Sequence, residues 1–275
     1  MIIRKIGGRA PATVTFVVLA AGGGAGVANI NVDAQARKGG NGGLVIATFS
    51  KNDLSASVIV QVGQGGKSTR AGNLTSGGWP AGGDGFGNQS SNDAGGGGGR
   101  SGIFQTSVSQ ANALVVAGAG GGSATRGDGG GDGGDGGGTS GTAGTGSGFG
   151  NPGTPSAGGT GGGAGSDGAA LAGGNAQAAN GPGGGGDGYW GGEGGADGAV
   201  GVAPYGGGGG GSSYVHTDAL TSLSLTGFGG QGAHGSSINA DDSSPGQNGK
   251  VLIIDNATNV VTEYSYTGSD QTHTF

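Results

Sequence analysis

Residues 118–211 constrain the fold of this 275-residue chain more than any other stretch. Of these 94 residues, 46 are glycine, and no Lys or Arg follows Arg126 within the stretch. A glycine loses roughly 0.5–1 kcal/mol more backbone freedom on folding than an alanine, so ordinary helices and sheets are not built from such a sequence. The stretch must either stay disordered, as a low-complexity composition favours, or adopt a structure that only glycine can form.

The ordered structure open to glycine is the extended left-handed helix, with three residues per turn and about 3.1 Å of rise per residue. It has no internal hydrogen bonds, so several helices must bundle and bond laterally through faces that carry no side chains. In GDGGGDGGDGGG (127–138), Asp132 and Asp135 repeat one face, whereas Asp128 breaks the register. Collagen is excluded, because the chain has seven prolines and no strict Gly-X-Y repeat. We expect these structural glycines to face inward: Gly130, Gly131, Gly183, Gly184 and Gly208.

Short apolar runs with strand alternation lie mainly outside this stretch, and no segment has a helical period. They predict a short arm or strand at 1–6 and strands at 13–20, 27–32, 44–50, 54–62, around residue 103, and at 114–117, 220–225, 250–254 and 260–266. The last two form a hairpin, and 71–93 is expected to be loop. The fold class predicted is all-β, a β-sandwich in one domain. Its strands come mainly from 1–117 and 212–275, and residues 118–211 are the polyglycine-helix insertion.

Charge and composition exclude several classes of function. Residues 1–126 carry a net charge of +6 and residues 127–275 one of −12, so no uniform basic stripe for nucleic acid exists. The chain has no cysteine, which excludes disulfides and cysteine metal sites. Residues 1–21 have the outline of a signal peptide, but the alternation of Thr13 and Thr15 with Val14 and Phe16 favours a strand. No apolar run reaches the roughly 20 residues of a membrane span, so no membrane insertion is expected.

No catalytic set is evident, and we expect neither enzyme activity nor a cofactor. His216, His234 and His273 are expected on a strand edge, in a glycine loop and in a polar C-terminal tail, as unpaired surface residues. GQGGKST (63–69) lacks the first glycine of a phosphate loop and precedes no helix. GGDGGD (130–135) matches the start of a calcium-binding nonapeptide, but Gly137 stands where an aliphatic residue is needed. Solvated carboxylates that keep the bundle soluble are the favoured interpretation, and no metal site is predicted.

Isolated aromatic residues are the best candidates for binding. A glycine bundle offers no core pocket for large side chains, so they should lie at loop ends or over the bundle surface. There they could stack on sugar rings or receptor loops, or simply cap the bundle. The receptor-binding candidates are Trp79, Phe86, Tyr189, Trp190 and Tyr205.

The order of the glycine runs resembles a known group of domains. A strand followed by GGGAG, then VIVQVGQGG, AGGGGGRSGIF, NALVVAGAGGG and GGGGGGSSYV is similar to the glycine-rich domains of bacteriophage long-tail-fibre tip adhesins. More distantly, it resembles the glycine-rich extracellular domain of the anaplastic lymphoma kinase family. The resemblance implies a jelly-roll-like β-sandwich from which polyglycine II helices project. It also implies that one end attaches to the fibre while loops at the other end touch the host receptor.

The function expected is therefore that of a non-enzymatic virion protein, a tail-fibre or tail-tip adhesin. Its expected partners are a phage fibre or another virion subunit and a protein or glycan receptor on the host surface, and a homo-oligomer is compatible with the sequence. Two alternatives stay open: a structural capsid decoration or cement protein, and a secreted glycine-rich ligand-binding domain.

Overall fold

A computed structural model describes residues 12–26, 37–68, 74–87, 94–125, 130–161, 165–178, 181–197, 205–233 and 245–275. The predicted strand at 27–32 and the arm at 1–6 lie outside these ranges. The described residues form strands and two short 3-10 turns, Lys51–Asp53 and Gln110–Asn112, and they contain no α-helix. The all-β prediction is confirmed.

Twelve strands are numbered in chain order. They are β1 Thr13–Leu19, β2 Leu44–Ser50, β3 Ser57–Gln61, β4 Leu74–Thr75, β5 Gly85–Phe86, β6 Ser101–Phe104, β7 Ala113–Ala117, β8 Tyr214–Val215, β9 Thr221–Leu225, β10 Lys250–Asp255, β11 Val260–Tyr264 and β12 Gln271–Thr274. Two five-stranded sheets run in the orders β11-β10-β1-β2-β9 and β12-β3-β6-β7-β8, and β4 pairs with β5 alone. Every pairing between these strands is antiparallel.

The core lies between the two large sheets and follows from strand alternation. Val14, Phe16 and Val18 of β1 are fully buried, while the residues between them are partly exposed. Phe16 packs on Phe49 of β2 at 5.6 Å between ring centroids. Strands of the second sheet contribute to the same apolar cluster, among them Val60 of β3. Because side chains alternate between the faces of a strand, the inner faces of both sheets build one core, and the arrangement is sandwich-like.

Three segments differ from the sequence expectation. The predicted strand at 54–62 begins only at Ser57, after a 3-10 turn. The stretch expected to be loop contains the short β4–β5 hairpin. The polar C-terminal tail forms β12, which pairs with β3. Its alternation of polar residues carries little hydrophobic signal, so pairing with an existing sheet edge decides its structure.

The glycine bundle is the set of extended, glycine-rich segments that emerge from one end of this sandwich. Its central segment, 206–211, donates N–H groups to three neighbours in turn: residues 206 and 209 to segment 191–196, 207 and 210 to 142–145, and 208 and 211 to 119–122. Its carbonyls accept from three further segments, 183–186, 150–153 and 134–137, with the same three-residue repeat. Six neighbours therefore surround one segment, and the backbone groups of residues 206–211 are satisfied laterally.

All five predicted structural glycines occupy positions where a side chain cannot fit. A Cβ on Gly130 would collide with the carbonyl oxygen of Ala124, and one on Gly131 with that of Thr145. The same collision with a neighbouring carbonyl oxygen occurs at Gly183, Gly184 and Gly208. The contact in each case is with backbone, which cannot move aside as a flexible side chain can. The inward orientation of these glycines is what allows the segments to approach one another.

The bundle is larger than the insertion defined from the sequence. Short glycine-rich segments at 20–26, 37–43, 62–68, 94–100, 229–233 and 245–249 also bond laterally into it. Gly23, for example, donates its N–H to the carbonyl of Gly40, and Gly40 donates to that of Gly121. Sequence alone suggested turns between strands at these places, because each run is too short to be recognised as a bundle member without its neighbours.

Polar side chains complete the hydrogen bonding at the edge of the bundle. The Asp132 carboxylate accepts the N–H of Lys38 at 2.9 Å, and the Asp135 carboxylate accepts that of Asn41 at 2.6 Å. Asp132 and Asp135 are three residues apart, as are Lys38 and Asn41, so the two bonds form a ladder along one face. The two carboxylates are partly exposed charges, and they also accept backbone hydrogen bonds from a neighbouring segment of the bundle. The sequence did not indicate this second role.

Candidate functional site

The bundle has two ends, and the described residues at the end far from the sandwich form what we call the tip. There Ala25 donates its N–H to Ser68 Oγ and Gly26 donates its N–H to Ser123 Oγ, both at 2.9 Å. Ser68 and Gly95 form an isolated antiparallel β-bridge. The N–H of Gly95 in turn donates to the Ser123 carbonyl. Four separate passes of the chain thus meet at the tip.

Two of the five predicted binding residues lie at the tip. Phe86 of β5 pairs with Leu74 of β4 and donates its N–H to the Pro182 carbonyl, and its side chain is partly exposed. Leu74 is 59% exposed, which makes it the most exposed large apolar residue of the described tip. Tyr205 directly precedes the central segment and is 5% exposed, so of the two positions expected for it, a loop end or the bundle surface, it does not occupy the second.

The other three candidates lie at the junction, the end where the bundle meets the second sheet. Tyr189 stacks on Tyr214 of β8 with ring centroids 4.0 Å apart, and Trp190 meets Tyr189 edge to face at 6.5 Å. Trp79 packs against Tyr266, which follows β11, at 6.1 Å. The structure therefore does not bring the five residues together. Trp79, Tyr189 and Trp190 have packing partners in or beside the sandwich, as expected of residues that cap the bundle.

A buried ion pair fixes this junction. Arg100 Nη1 lies 2.7 Å from Asp187 Oδ2 and also donates to the Leu171 carbonyl. Arg100 Nη2 donates to Gln61 Oε1 at 2.9 Å, so the guanidinium ties β3 to two turns of the bundle. Complete burial raises the pKa of Asp187 above its ordinary value, and the charge of Arg100 opposes that rise. The pattern SGIF after a glycine run gave no sign that Arg100 would be buried.

A row of apolar residues crosses the outer face of the first sheet. Val17 is paired with Ile46 on one side and with Leu252 on the other, and Ile46 is paired with Leu223 of the edge strand β9. Directly paired residues project from the same face, and Phe16 next to Val17 points into the core, so this row faces outward. Leu223 is 49% exposed. The row ends at Glu263, which is paired with Leu252, and an apolar row on an outer sheet face is a candidate interaction surface.

The described histidines are not unpaired, which corrects the sequence expectation. His216 Nδ1 lies 3.3 Å from Asp218 Oδ2, within one turn. His273 lies on β12, where Nδ1 is 2.9 Å from the Tyr264 hydroxyl. His234 lies outside the described residues. Among the residues that the structure describes, no group of three or more His, Asp or Glu side chains could hold a metal ion.

Comparison with known proteins identified no relative of this chain. No protein-family model and no curated protein sequence matches this chain. Within the described ranges, none of the helical turns is long and apolar enough to cross a membrane.

Proposed function

We propose that this protein is a non-enzymatic bacteriophage virion protein, an adhesin of a tail fibre or tail tip. One observation carries the proposal. The laterally bonded glycine bundle separates the sandwich, with the apolar row on its outer face, from a tip where several chain passes converge. In this proposal the sandwich binds a fibre or another virion subunit, and the tip binds a protein or glycan receptor on the host surface.

We further infer that the glycine segments are polyglycine II helices and that the sandwich is of the jelly-roll kind. The partners of residues 206–211 repeat every three residues, which is the period of that helix. Two five-stranded antiparallel sheets enclosing one core support the jelly-roll assignment. A backbone bonded in this way needs no apolar core of its own, which suits an extended stalk.

The proposal narrows the receptor-contacting candidates to the tip. Leu74 and Phe86 share a short hairpin there, and Leu74 is the more exposed of the two. A partly exposed aromatic next to an exposed aliphatic residue is a suitable anchor for a receptor surface. In this proposal Trp79, Tyr189 and Trp190 do not contact the receptor. They pack at the junction and fix the bundle to the sandwich.

The test is a competition assay with the phage that carries the gene. Purified protein added to host cells is expected to reduce phage adsorption. The variant Leu74→Asp with Phe86→Ala should compete poorly. Leu223→Asp, on the outer face of the first sheet, should compete as well as the wild type. In the phage itself the effects should reverse, with Leu223→Asp lost from purified particles and the tip variant retained.

Two outcomes would overturn the proposal. If the wild-type protein does not reduce adsorption at saturating concentration, the tip binds no receptor. If electron microscopy of labelled particles finds hundreds of copies on the capsid instead of a few on the tail, the protein is a decoration subunit.

A further inference from the structure

The outer face of the first sheet carries three rows of side chains, and the apolar row through Val17 is the middle one. From the row nearest the bundle to the row farthest from it, strand pairing gives Leu225, Leu44, Leu19 and Lys250; then Leu223, Ile46, Val17, Leu252 and Glu263; then Thr221, Thr48, Thr15, Ile254 and Val261. All fourteen residues are partly or fully exposed, and nine of them are large and apolar.

Strands of this sheet have the sequence pattern of strands that are buried on both faces. In β2, Leu44 and Ile46 project outward although Val45 between them already fills the core. In the edge strand β9 the usual polarity is reversed: Ser224 is paired with Val45 and projects inward, so Leu223 projects outward. An antiparallel sheet with one face in water instead places apolar residues inward and polar residues outward. The outer face therefore has the composition of a covered face.

Polar groups on this face are paired with one another. Thr15 Oγ1 lies 2.9 Å from Thr48 Oγ1 and accepts a hydrogen bond from Asn256 Nδ2 at 3.0 Å. Lys250 Nζ lies 2.7 Å from Glu263 Oε1, at the margin that β10 and β11 form. The two charges cancel, so a partner can displace water from the apolar rows without separating an ion from its counterion.

The dimensions of this face meet the requirement for a small interface. Five strands about 4.8 Å apart and three rows about 6.8 Å apart cover roughly 24 by 20 Å, or about 500 Å². Two such faces packed together bury about 1,000 Å², which is the lower limit for a specific contact. Leu223 on β9 is 49% exposed and Val261 on β11 is 56% exposed, so apolar surface reaches both margins of the sheet.

We propose that a second copy of this chain covers this face, with the two first sheets packed face to face about a twofold axis. Such a contact uses the same surface on both copies, so the surface must complement itself. A flat apolar face whose two charges cancel does so. The chain as a whole carries a net charge of −6, which keeps other surfaces of the two copies apart. The contact closes after two copies, and it leaves each tip free at the far end of the bundle.

The second copy is the virion subunit that the proposed function places on this face, and that identification rests on the proposed function. Dimer formation itself is measured on the free protein, without phage or host cells, so the two proposals can fail separately. If the free chain is monomeric, the dimer is refuted, while the face stays available to a fibre subunit and the adhesin proposal stands.

The experiment is sedimentation equilibrium of the purified full chain at concentrations from about 1 to about 200 μM. The mass should rise from the 25.2 kDa of one chain toward twice that value. The dissociation constant should lie in the micromolar range, because the buried area is small. Apolar contacts are not weakened by salt, so the constant should not increase between about 0.05 and about 0.5 M NaCl.

Two variants locate the contact. Leu223→Asp and Val261→Asp each place an unpaired charge at one margin of the face, and each should raise the dissociation constant about tenfold or more. Both residues are about half exposed on edge strands, so the thermal unfolding midpoint, measured below the dissociation constant, should change by only a few degrees. The matched control Leu74→Asp, at a residue that is 59% exposed at the tip, should keep the wild-type constant.

Four results would overturn the proposal. The first is a wild-type chain that stays monomeric at about 200 μM, and the second is a mass of three copies, which has no twofold axis. The third is retention of the wild-type constant by either variant. A dimer that tolerates Val261→Asp joins through the β9 edge alone, and one that tolerates Leu223→Asp joins through the β11 edge alone. The fourth is a constant that rises with salt, which would show that the contact is ionic.

Discussion

Arg100 and Asp187 form an ion pair at 2.7 Å although neither side chain has appreciable contact with solvent. The Asp187 side chain is fully buried and that of Arg100 is 4% exposed. The carboxylate also accepts the N–H of Gly188, and the guanidinium reaches Gln61 of β3. The pair therefore joins the turn that carries Tyr189 to the second sheet, and it sets how the bundle sits on the sandwich.

Removing one charge of the Arg100–Asp187 pair should lower the free energy of unfolding strongly. Asp187→Asn leaves the Arg100 charge buried without its counterion, and the expected loss is about 3–5 kcal/mol of unfolding free energy. The measurement is urea unfolding followed by Trp190 fluorescence, since Trp190 contacts Tyr189 beside the pair. In the double variant Arg100→Met with Asp187→Leu most of the loss should be recovered, because both charges are gone. A loss below about 1 kcal/mol for Asp187→Asn would contradict the role assigned to the pair.

Substitution of an inward glycine should disrupt the bundle more than loss of an edge carboxylate. Even Gly184→Ala places a Cβ against the Gly83 carbonyl, so the two segments must separate and lose lateral bonds. Asp135→Ala removes one bond to the Asn41 N–H, for an expected cost of about 1.5–3 kcal/mol. Hydrogen exchange of the glycine amides distinguishes the two, because only Gly184→Ala should expose many amides at once.

The matched control for this comparison is Gly161. Apart from its chain neighbours, a Cβ there meets no atom of the described residues within 4 Å, and its φ of 83° suits asparagine better than most residues. Gly161→Asn should therefore leave amide protection unchanged. Equal protection in Gly184→Ala and Gly161→Asn would show that lateral contact does not require bare glycine.

His273 should make the protein less stable in mild acid. Burial, followed by the nearby charge of Lys51, lowers the pKa of His273 below its ordinary value of 6.5. The unfolded chain then binds a proton that the folded chain does not, so stability falls as pH drops below about 6.5, by at most about 1.4 kcal/mol per pH unit. His273→Phe keeps a ring beside Tyr264 and should flatten the change in unfolding free energy between pH 7.5 and 5.5. An unchanged slope would contradict this.

Asp255 should also make the protein less stable as the pH falls, but at a lower pH than His273. The hydrogen bond from Lys51 Nζ, at 2.7 Å, is the main cause that lowers the pKa of Asp255 from 3.8 to about 2. The contribution of this carboxylate to stability is complete above about pH 4 and is lost as pH falls toward 2. Lys51→Met and Asp255→Asn should each reduce the shift of the thermal midpoint between pH 4.5 and 2. If both variants keep the wild-type shift, the carboxylate has no such role.

Local pattern was sufficient to predict most strands. Alternation around Phe16 and Phe49 predicted β1 and β2 because a strand with one buried face must repeat every two residues. The inward glycines were also predictable, because close backbone approach excludes any Cβ. The strand β12 was missed, since the alternation of Gln271 and His273 with threonines carries no apolar signal.

By itself, the sequence determined that the chain is all-β. It also determined that the glycine-rich part, if ordered, must bond laterally, with residues such as Gly184 facing inward. Only the tertiary structure decided which segments are neighbours, because glycine runs resemble one another and their bonding partners lie far apart in the chain. It therefore decided that Tyr205, just before the central segment, is buried while Phe86 is partly exposed at the tip. It also decided that Ser224 faces the core edge, since strand register depends on the partner strand and not on the residue itself.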